Sequence, residues 1–230
     1  LKLVGINQHI GSLFMDGKPY VEGVKAILNI AKQFEDLEFV DLGGGFGIPY
    51  EKLNDQPRLD MVELGKQLDE VFEQFVKDYG KEITFKIEPG RYVSAECGVL
   101  LGTVTAVKHN GEDKYIGTDI GFNVLQRPVM YDSHHDIEVY NDSDNTEDVT
   151  VVGNICESGD ILAKHRICPE MHVGDTMAML DAGAYGYCMA SNYNNRLRPA
   201  EVLIRENGEA VLIRERDELE DLTRHMKSIK

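Results

Sequence analysis

The chain has 230 residues, 42 % of them apolar and 28 % charged, with a formal net charge of −16. That size suits one large domain or two small ones. The acidic balance argues against a nucleic-acid partner, which needs Lys and Arg patches, and no apolar run approaches the ~20 residues that span a bilayer. Cys97, Cys156, Cys168 and Cys188 form no CxxC pair and have no histidine at metal-ligand spacing. Such dispersed thiols fit a reducing cytoplasm better than a disulfide framework. The opening Leu1-Lys2-Leu3-Val4-Gly5 reads as a strand rather than a signal peptide. Without an initiator Met, the chain is expected to begin inside a longer polypeptide.

Residues 3–10 predict a strand. Residues 21–34 predict a helix, with Val21, Val24, Ile27, Leu28 and Ala31 at helical spacing. Residues 37–42 read as a short buried strand that runs into Gly43-Gly44-Gly45-Phe46-Gly47. Residues 59–79 are again helical, with Leu64, Leu68, Val71, Phe75 and Val76 on one face. Residues 83–87 form a third strand, stopped by Glu88-Pro89-Gly90. Alternating strands and helices imply parallel strands with helical crossovers. Three strands cannot close a barrel, so residues 1–92 read as the tail of a larger β/α unit.

Over residues 93–230 the pattern changes. Segments 99–107, 114–118, 137–140, 148–152 and 201–205 are short, rich in Val, Ile and Tyr, and separated by Gly, Asn and Asp. They predict a mainly antiparallel β domain, closed by a surface helix over residues 217–229. The acidic stretch 141–148 reads as a solvated turn, because it lacks the mid-loop Gly and terminal Glu of an EF-hand.

Several motifs admit both a chemical and a purely structural reading. The Gly43–Gly47 turn follows a strand, where backbone N–H groups approach a phosphate closely; it is equally a plain tight turn. Glu88-Pro89-Gly90-Arg91 ends a strand, where a carboxylate can face a pyridinium nitrogen and an Arg a phosphate; it is also an ordinary solvated turn. His9-Ile10-Gly11-Ser12 ends the first strand and reads as a buried histidine or a site residue. Because these three motifs end three successive strands, a shared phosphate-bearing ligand accounts for all of them. Cys156-Glu157-Ser158-Gly159-Asp160 sets a thiol beside a carboxylate, suited to proton donation and a charged-substrate contact, or is a cysteine at a turn. Gly183-Ala184-Tyr185-Gly186-Tyr187 offers phenols on a Gly-bounded segment, or another turn. Arg127-Pro128-Val129-Met130-Tyr131 pairs a guanidinium with a phenol, a set suited to a carboxylate. His134-His135 has no acidic or thiol partner at metal spacing, so a non-metal role is favoured.

In order, HIGS, GGGFGIPY, EPGR, RPVMY, CESGD, AGAYGY and SNYNNR run along nearly the whole chain. The ordered set resembles the alanine-racemase-like, fold type III family of pyridoxal 5'-phosphate (PLP) decarboxylases. The resemblance implies an α/β-plus-β architecture: the last part of a PLP-binding (β/α)8 barrel over residues 1–92, and most of a C-terminal β domain over 93–230. It implies that His9 stacks on the PLP ring, that Glu88 pairs with the pyridine nitrogen, and that Ser12, Gly43, Gly44, Gly45, Gly90 and Arg91 surround the phosphate with Tyr185 nearby. Cys156 matches the cysteine that the family uses near the reacting carbon, on a segment that enters the partner subunit's site, so the expected active unit is a homodimer. Arg91, Arg127, Tyr131, Glu157 and Tyr185 are the implied substrate contacts.

Ornithine- and lysine-type members read a distal amine. Glu157 with Arg127 and Tyr131 supplies charge for both an amine and a carboxylate, resembling the members that convert meso-2,6-diaminopimelate to L-lysine and CO2. HIGS is followed by Leu13 where the family usually has Gln. The lysine that carries PLP in the family lies upstream of all these motifs and has no counterpart here, so the fragment alone is expected to be inactive. A non-catalytic regulator would have little use for His9, Glu88, Arg91 and Cys156 together. A phosphosugar isomerase or epimerase would have no use for Cys156-Glu157 or the second domain.

Overall fold

The computed structural model describes residues 1–228 of the chain. These divide into two compact units, Leu1–Glu96 and a second that starts at Cys97.

In the first unit the order is β1 (Gly5–Asn7), α1 (Lys18–Ala31), β2 (Phe39–Gly44), α2 (Met61–Tyr79), β3 (Thr84–Glu88) and a short α3 (Gly90–Ser94). The strands form a three-stranded parallel sheet in the order β1-β2-β3, as strand–helix alternation demands. Helix α1 begins three residues before the expected 21–34 span, because Pro19 sits in its first turn, where a missing N–H costs nothing. It buries Tyr20, Val21, Val24, Ile27, Leu28 and Ala31, spaced three or four residues apart along one face. Helix α2 is capped by the Asp60 carboxylate, which accepts from the Glu63 amide at 2.9 Å, and it stops at Gly80 in the left-handed region. Leu64 and Phe75 of α2 join the α1 face, Val40, Leu42 and Phe46 in one apolar core.

The second unit contains β4 (Leu100–Asn110), β5 (Asp113–Thr118), α4 (Arg127–Tyr131), β6 (Ile137–Tyr140), β7 (Thr146–Val152), β8 (Ile161–Pro169), β9 (Thr176–Met179), β10 (Glu201–Ile204), β11 (Ala210–Arg214) and α5 (Leu219–Thr223). Six strands form one mixed sheet in the order β6-β9-β4-β5-β7-β8, antiparallel except for the β5–β7 pair. Strands β10 and β11 make a separate hairpin. The core of the second unit gathers Val104, Ile116, Leu125, Ile137, Val151, Leu162, Met177 and Met179.

Strands β8, β9 and β11 were not expected from the sequence. Strand β8 carries Lys164, His165 and Arg166 in its middle, and His165 adopts a positive φ of 48° that breaks the two-residue alternation. Strand β9, Thr-Met-Ala-Met, holds one β-branched residue. The terminal helix is shorter than the expected 217–229. Asp217 is drawn into a two-point bridge with Arg198 instead, and the helix begins with a capping box between Glu218 and Asp221. Ile229 lies outside the described residues.

Glu96 closes the first unit by bridging Arg58 at 2.6 and 2.8 Å and Lys52 at 2.7 Å. The Arg58 hydrogen bonds, and secondarily Lys52, pull its carboxyl down to about 2. The folded value lies below the unfolded one, so the stabilisation is complete above about pH 4.5 and vanishes as the pH falls toward 2. Arg58 is 59 % exposed, so we expect only about 1 kcal/mol from this group. Denaturant titrations from pH 6 to pH 3 should show that Glu96→Gln removes that increment of acid sensitivity; an unchanged pH slope would show that the bridge contributes nothing.

Candidate active site

The three motifs of the first unit meet at the C-terminal ends of its three parallel strands, and the glycines are what allow it. A Cβ on Gly43 would lie 2.2 Å from the Gln8 carbonyl oxygen and 3.1 Å from the Cα of His9. One on Gly44 would lie 2.1 Å from the carbonyl oxygen of Glu88, with which Gly44 is in register. One on Gly45 would lie 2.1 Å from the carbonyl oxygen of Gly11. Gly43 and Gly45 also hold φ values of +71° and +98°, which side chains disfavour. HIGS, GGG and EPGR are therefore one packed cluster.

The amides of this turn are partly committed inside the protein. The Gly43 N–H donates to the Asp41 carboxylate at 3.0 Å, and the Gly44 N–H donates to Nδ1 of His9 at 3.4 Å. Close backbone approach thus explains Gly43 and Gly44 without any appeal to anion binding. The Gly44 bond also assigns the His9 proton to Nε2. His9 is exposed rather than buried, so its ring can cover a flat ligand.

Ser12 and Glu88 are exposed as well. Arg91 donates to the Tyr50 hydroxyl at 2.8 Å and lies 5.7 Å from that ring's centroid, which holds the guanidinium beside the strand ends. Space remains around the cluster: an added Cβ at Gly11 or Gly90 meets nothing within 4 Å. An exposed carboxylate, an exposed imidazole, a held guanidinium and glycine-bounded space fit PLP chemically.

The remaining candidates belong to the second unit. Arg127 opens α4 and is only 3 % exposed. Its Nη1 donates to Nε2 of His135 at 2.7 Å, and Nδ1 of His135 lies 2.6 Å from the Leu180 carbonyl oxygen. Tyr131, one turn later on α4, is 63 % exposed. His134, the other half of the histidine pair, is engaged by Asp136 at 2.8 Å and by Arg166.

The CESGD segment is a loop clamped from below. Asp160 is buried, and its carboxylate accepts from the Phe122 and Ile155 amides, each at 2.7 Å. Burial raises its pKa against those two bonds. Cys156 and Glu157 are exposed above this clamp. The Glu157 carboxylate accepts from the Gly159 amide at 3.2 Å, the Ser158 hydroxyl at 3.3 Å and the Tyr193 hydroxyl at 3.4 Å. The Gly159 bond, then Ser158, hold its pKa below the usual carboxylate range, so Glu157 is an anion at neutral pH. Helix α4 reaches the same loop: a Cβ on Gly159 would sit 3.5 Å from Val129 and 3.8 Å from Oε1 of Glu157.

Tyr185 is 42 % exposed and adopts φ +60°, a strained setting for an aromatic residue and one that function often retains. A cavity of about 390 Å³ lined by Asn154, Arg196 and Arg216 contains none of the candidate residues.

The sequence reading did not find the supports: Tyr50 under Arg91, His135 under Arg127, Tyr193 beside Glu157. Tyr193 lies in the SNYNNR motif, whose local pattern gives no sign of a partner 36 residues away.

The family model "Pyridoxal-dependent decarboxylase, C-terminal sheet domain" matches residues 27–183. Diaminopimelate decarboxylase of Methanothermobacter thermautotrophicus is 40 % identical over 96 % of this chain and 53 % of its own length. That of Archaeoglobus fulgidus is 43 % identical over 95 % of this chain and 52 % of its own. A crystal structure of diaminopimelate decarboxylase from M. jannaschii in complex with L-lysine superposes with a TM-score of 0.89 at 35 % identity, covering 98 % of this chain and 52 % of that one. The chain spans about half the length of the curated relatives it matches.

The glycine cluster makes a sharp prediction. Gly44→Ala forces β2 from the Glu88 carbonyl and should cost about 1–3 kcal/mol in denaturant unfolding. Gly65→Ala, mid-helix with nothing within 4 Å of the new Cβ, should instead stabilise by about 0.5–1 kcal/mol. Similar effects at the two positions would contradict the packing account.

Proposed function

The chain belongs to the pyridoxal-dependent decarboxylase family, and from that premise we propose that it forms the C-terminal part of an enzyme that decarboxylates meso-2,6-diaminopimelate to L-lysine and CO2. The observation that carries the reading is the meeting of His9, Gly43–Gly45 and Glu88 at adjacent strand ends. Support for the substrate comes from relatives named diaminopimelate decarboxylase at 40 % and 43 % identity and from the L-lysine complex of a third.

On this reading residues 1–92 are the last part of a (β/α)8 barrel and residues 93–230 most of its β domain. The lysine that carries PLP comes from the half of the relatives' length that the chain does not span. Bound PLP supplies an electron sink for the carbanion left when CO2 departs. Glu88 keeps the pyridine nitrogen protonated, the His9 ring covers one face, and Ser12, Gly45, Gly90 and Arg91 receive the phosphate with Tyr185. Arg91 also serves the substrate. Cys156 gives a proton near the reacting carbon.

At the distal end of the substrate, Arg127 and Tyr131 take the carboxylate while the Glu157 anion takes the ammonium, two charge-assisted contacts that an ornithine-type substrate would use only in part. Cys156 and Glu157 are exposed on their own unit, which suits a segment that completes the site of a second subunit in a cytoplasmic homodimer. Among the described residues no helix is long and apolar enough to cross a membrane.

The test uses the full-length protein. Glu88→Gln should retain bound PLP, measured by absorbance and stoichiometry, and lose on the order of a hundredfold or more in kcat, because an amide cannot hold the ring nitrogen charged. Wild-type protein should prefer diaminopimelate to lysine and ornithine. Near-normal turnover in the Gln variant would overturn the role of Glu88; preference for ornithine or lysine would overturn the substrate.

A further inference from the structure

Arg127 is an arginine at the start of a five-residue helix, nearly fully buried, and its direction depends on what it rests against. One partner is His135, itself 1 % exposed. The two bonds of that imidazole settle its proton. A carbonyl oxygen can only accept, so the 2.6 Å contact to Leu180 requires a proton on Nδ1. A guanidinium can only donate, so the 2.7 Å contact to Arg127 requires a lone pair on Nε2. Both demands are met at once by the neutral Nδ1–H tautomer and by no other protonation state of the ring.

Leu180 directly follows β9, and His135 directly precedes the buried Asp136 and β6, the strand that pairs with β9. The imidazole is thus built into the edge of the six-stranded sheet and presents a fixed acceptor to α4. We infer that His135 is a positioning residue: locked in its Nδ1–H form by the Leu180 carbonyl, it holds the Arg127 guanidinium in the orientation that reads the distal carboxylate of the substrate. A guanidinium is a rigid, planar fork, so anchoring Nη1 on a fixed imidazole orients the whole plane.

This rests on the proposed role of Arg127, and the experiment separates the two. Asparagine and glutamine each reproduce one half of the histidine. In His135→Asn the side-chain amide reaches the Nδ1 position and can still donate to Leu180, but the acceptor facing Arg127 is gone. In His135→Gln the carbonyl oxygen reaches the Nε2 position and restores that acceptor.

In full-length protein, Arg127→Ala and His135→Asn should each lower kcat/KM for diaminopimelate by about tenfold or more, mostly through KM, with much smaller losses on lysine. His135→Gln should recover most of the loss. Independently of activity, 15N spectra of histidine-labelled wild-type protein should show His135, identified by its disappearance in the variants, with a protonated Nδ1 and an unprotonated Nε2.

A selective loss in Arg127→Ala with none in His135→Asn would overturn the positioning role and leave the reading of Arg127 intact. Equal losses in the Asn and Gln variants would make His135 a packing residue and overturn it too. No selective loss in Arg127→Ala would overturn the reading of Arg127, and the inference with it. An Nε2–H tautomer or an imidazolium for His135 in the wild-type spectrum would overturn the inference whatever the kinetics of the variants.

Discussion

The approach of the Gly44 backbone to the carbonyl of Glu88 is the contact on which the arrangement of the first unit's strand ends depends. A side chain wedged against a neighbouring backbone ordinarily holds the two segments apart. Here three consecutive glycines remove that separation, and the backbone of β2 packs against Gln8–His9 and Gly11 on one side and Glu88 on the other. The imidazole of His9 and the carboxylate of Glu88 are thereby brought to either side of one turn. The same closeness lets the Gly44 amide fix the His9 tautomer, so geometry and protonation share a cause.

The second unit solves a different problem, how to keep charged groups in a fixed direction. Arg127 is buried on a histidine, Glu157 sits exposed within reach of three donors, and Asp160 is buried under two amides. A charge taken from water is costly unless its partners are present beforehand. Two of these partners are anchored in turn: His135 by the Leu180 carbonyl, Tyr193 by a ring contact of 5.0 Å to Phe122. On the proposed reading, orientation fixed beforehand is what would let these ionic groups discriminate between substrates rather than merely attract them.

Much of this architecture was legible in the sequence where physics is local. Helices α1 and α2 followed from the spacing of Val21, Val24, Ile27, Leu28 and of Leu64, Leu68, Phe75, and the three parallel strands from their alternation with those helices. The separate hairpin was half read: β10 was expected, but Asn207-Gly208, a strong turn signal between two apolar runs, should have announced β11 as well. Strand β8 was hidden by its charged centre and by the positive φ at His165, which no propensity foresees.

The site was legible as motifs but not as a mechanism. That GGG lies against HIGS and EPGR follows from sheet order, which the alternation already implied. That its glycines serve close packing, and that two of its amides are committed within the protein, does not. Pairings such as Tyr193 with Glu157 or His135 with Leu180 join residues 36 and 45 positions apart, so no local pattern marks them. The central claim is that the strand ends of residues 1–92 hold the cofactor. Its most direct test is a crystal structure of the full-length protein with PLP and L-lysine. The account predicts the Glu88 carboxylate at hydrogen-bond distance from the pyridine nitrogen and the His9 ring over the cofactor's face. PLP bound with its ring nitrogen remote from Glu88, or held away from the Gly43–Gly45 turn, would contradict it.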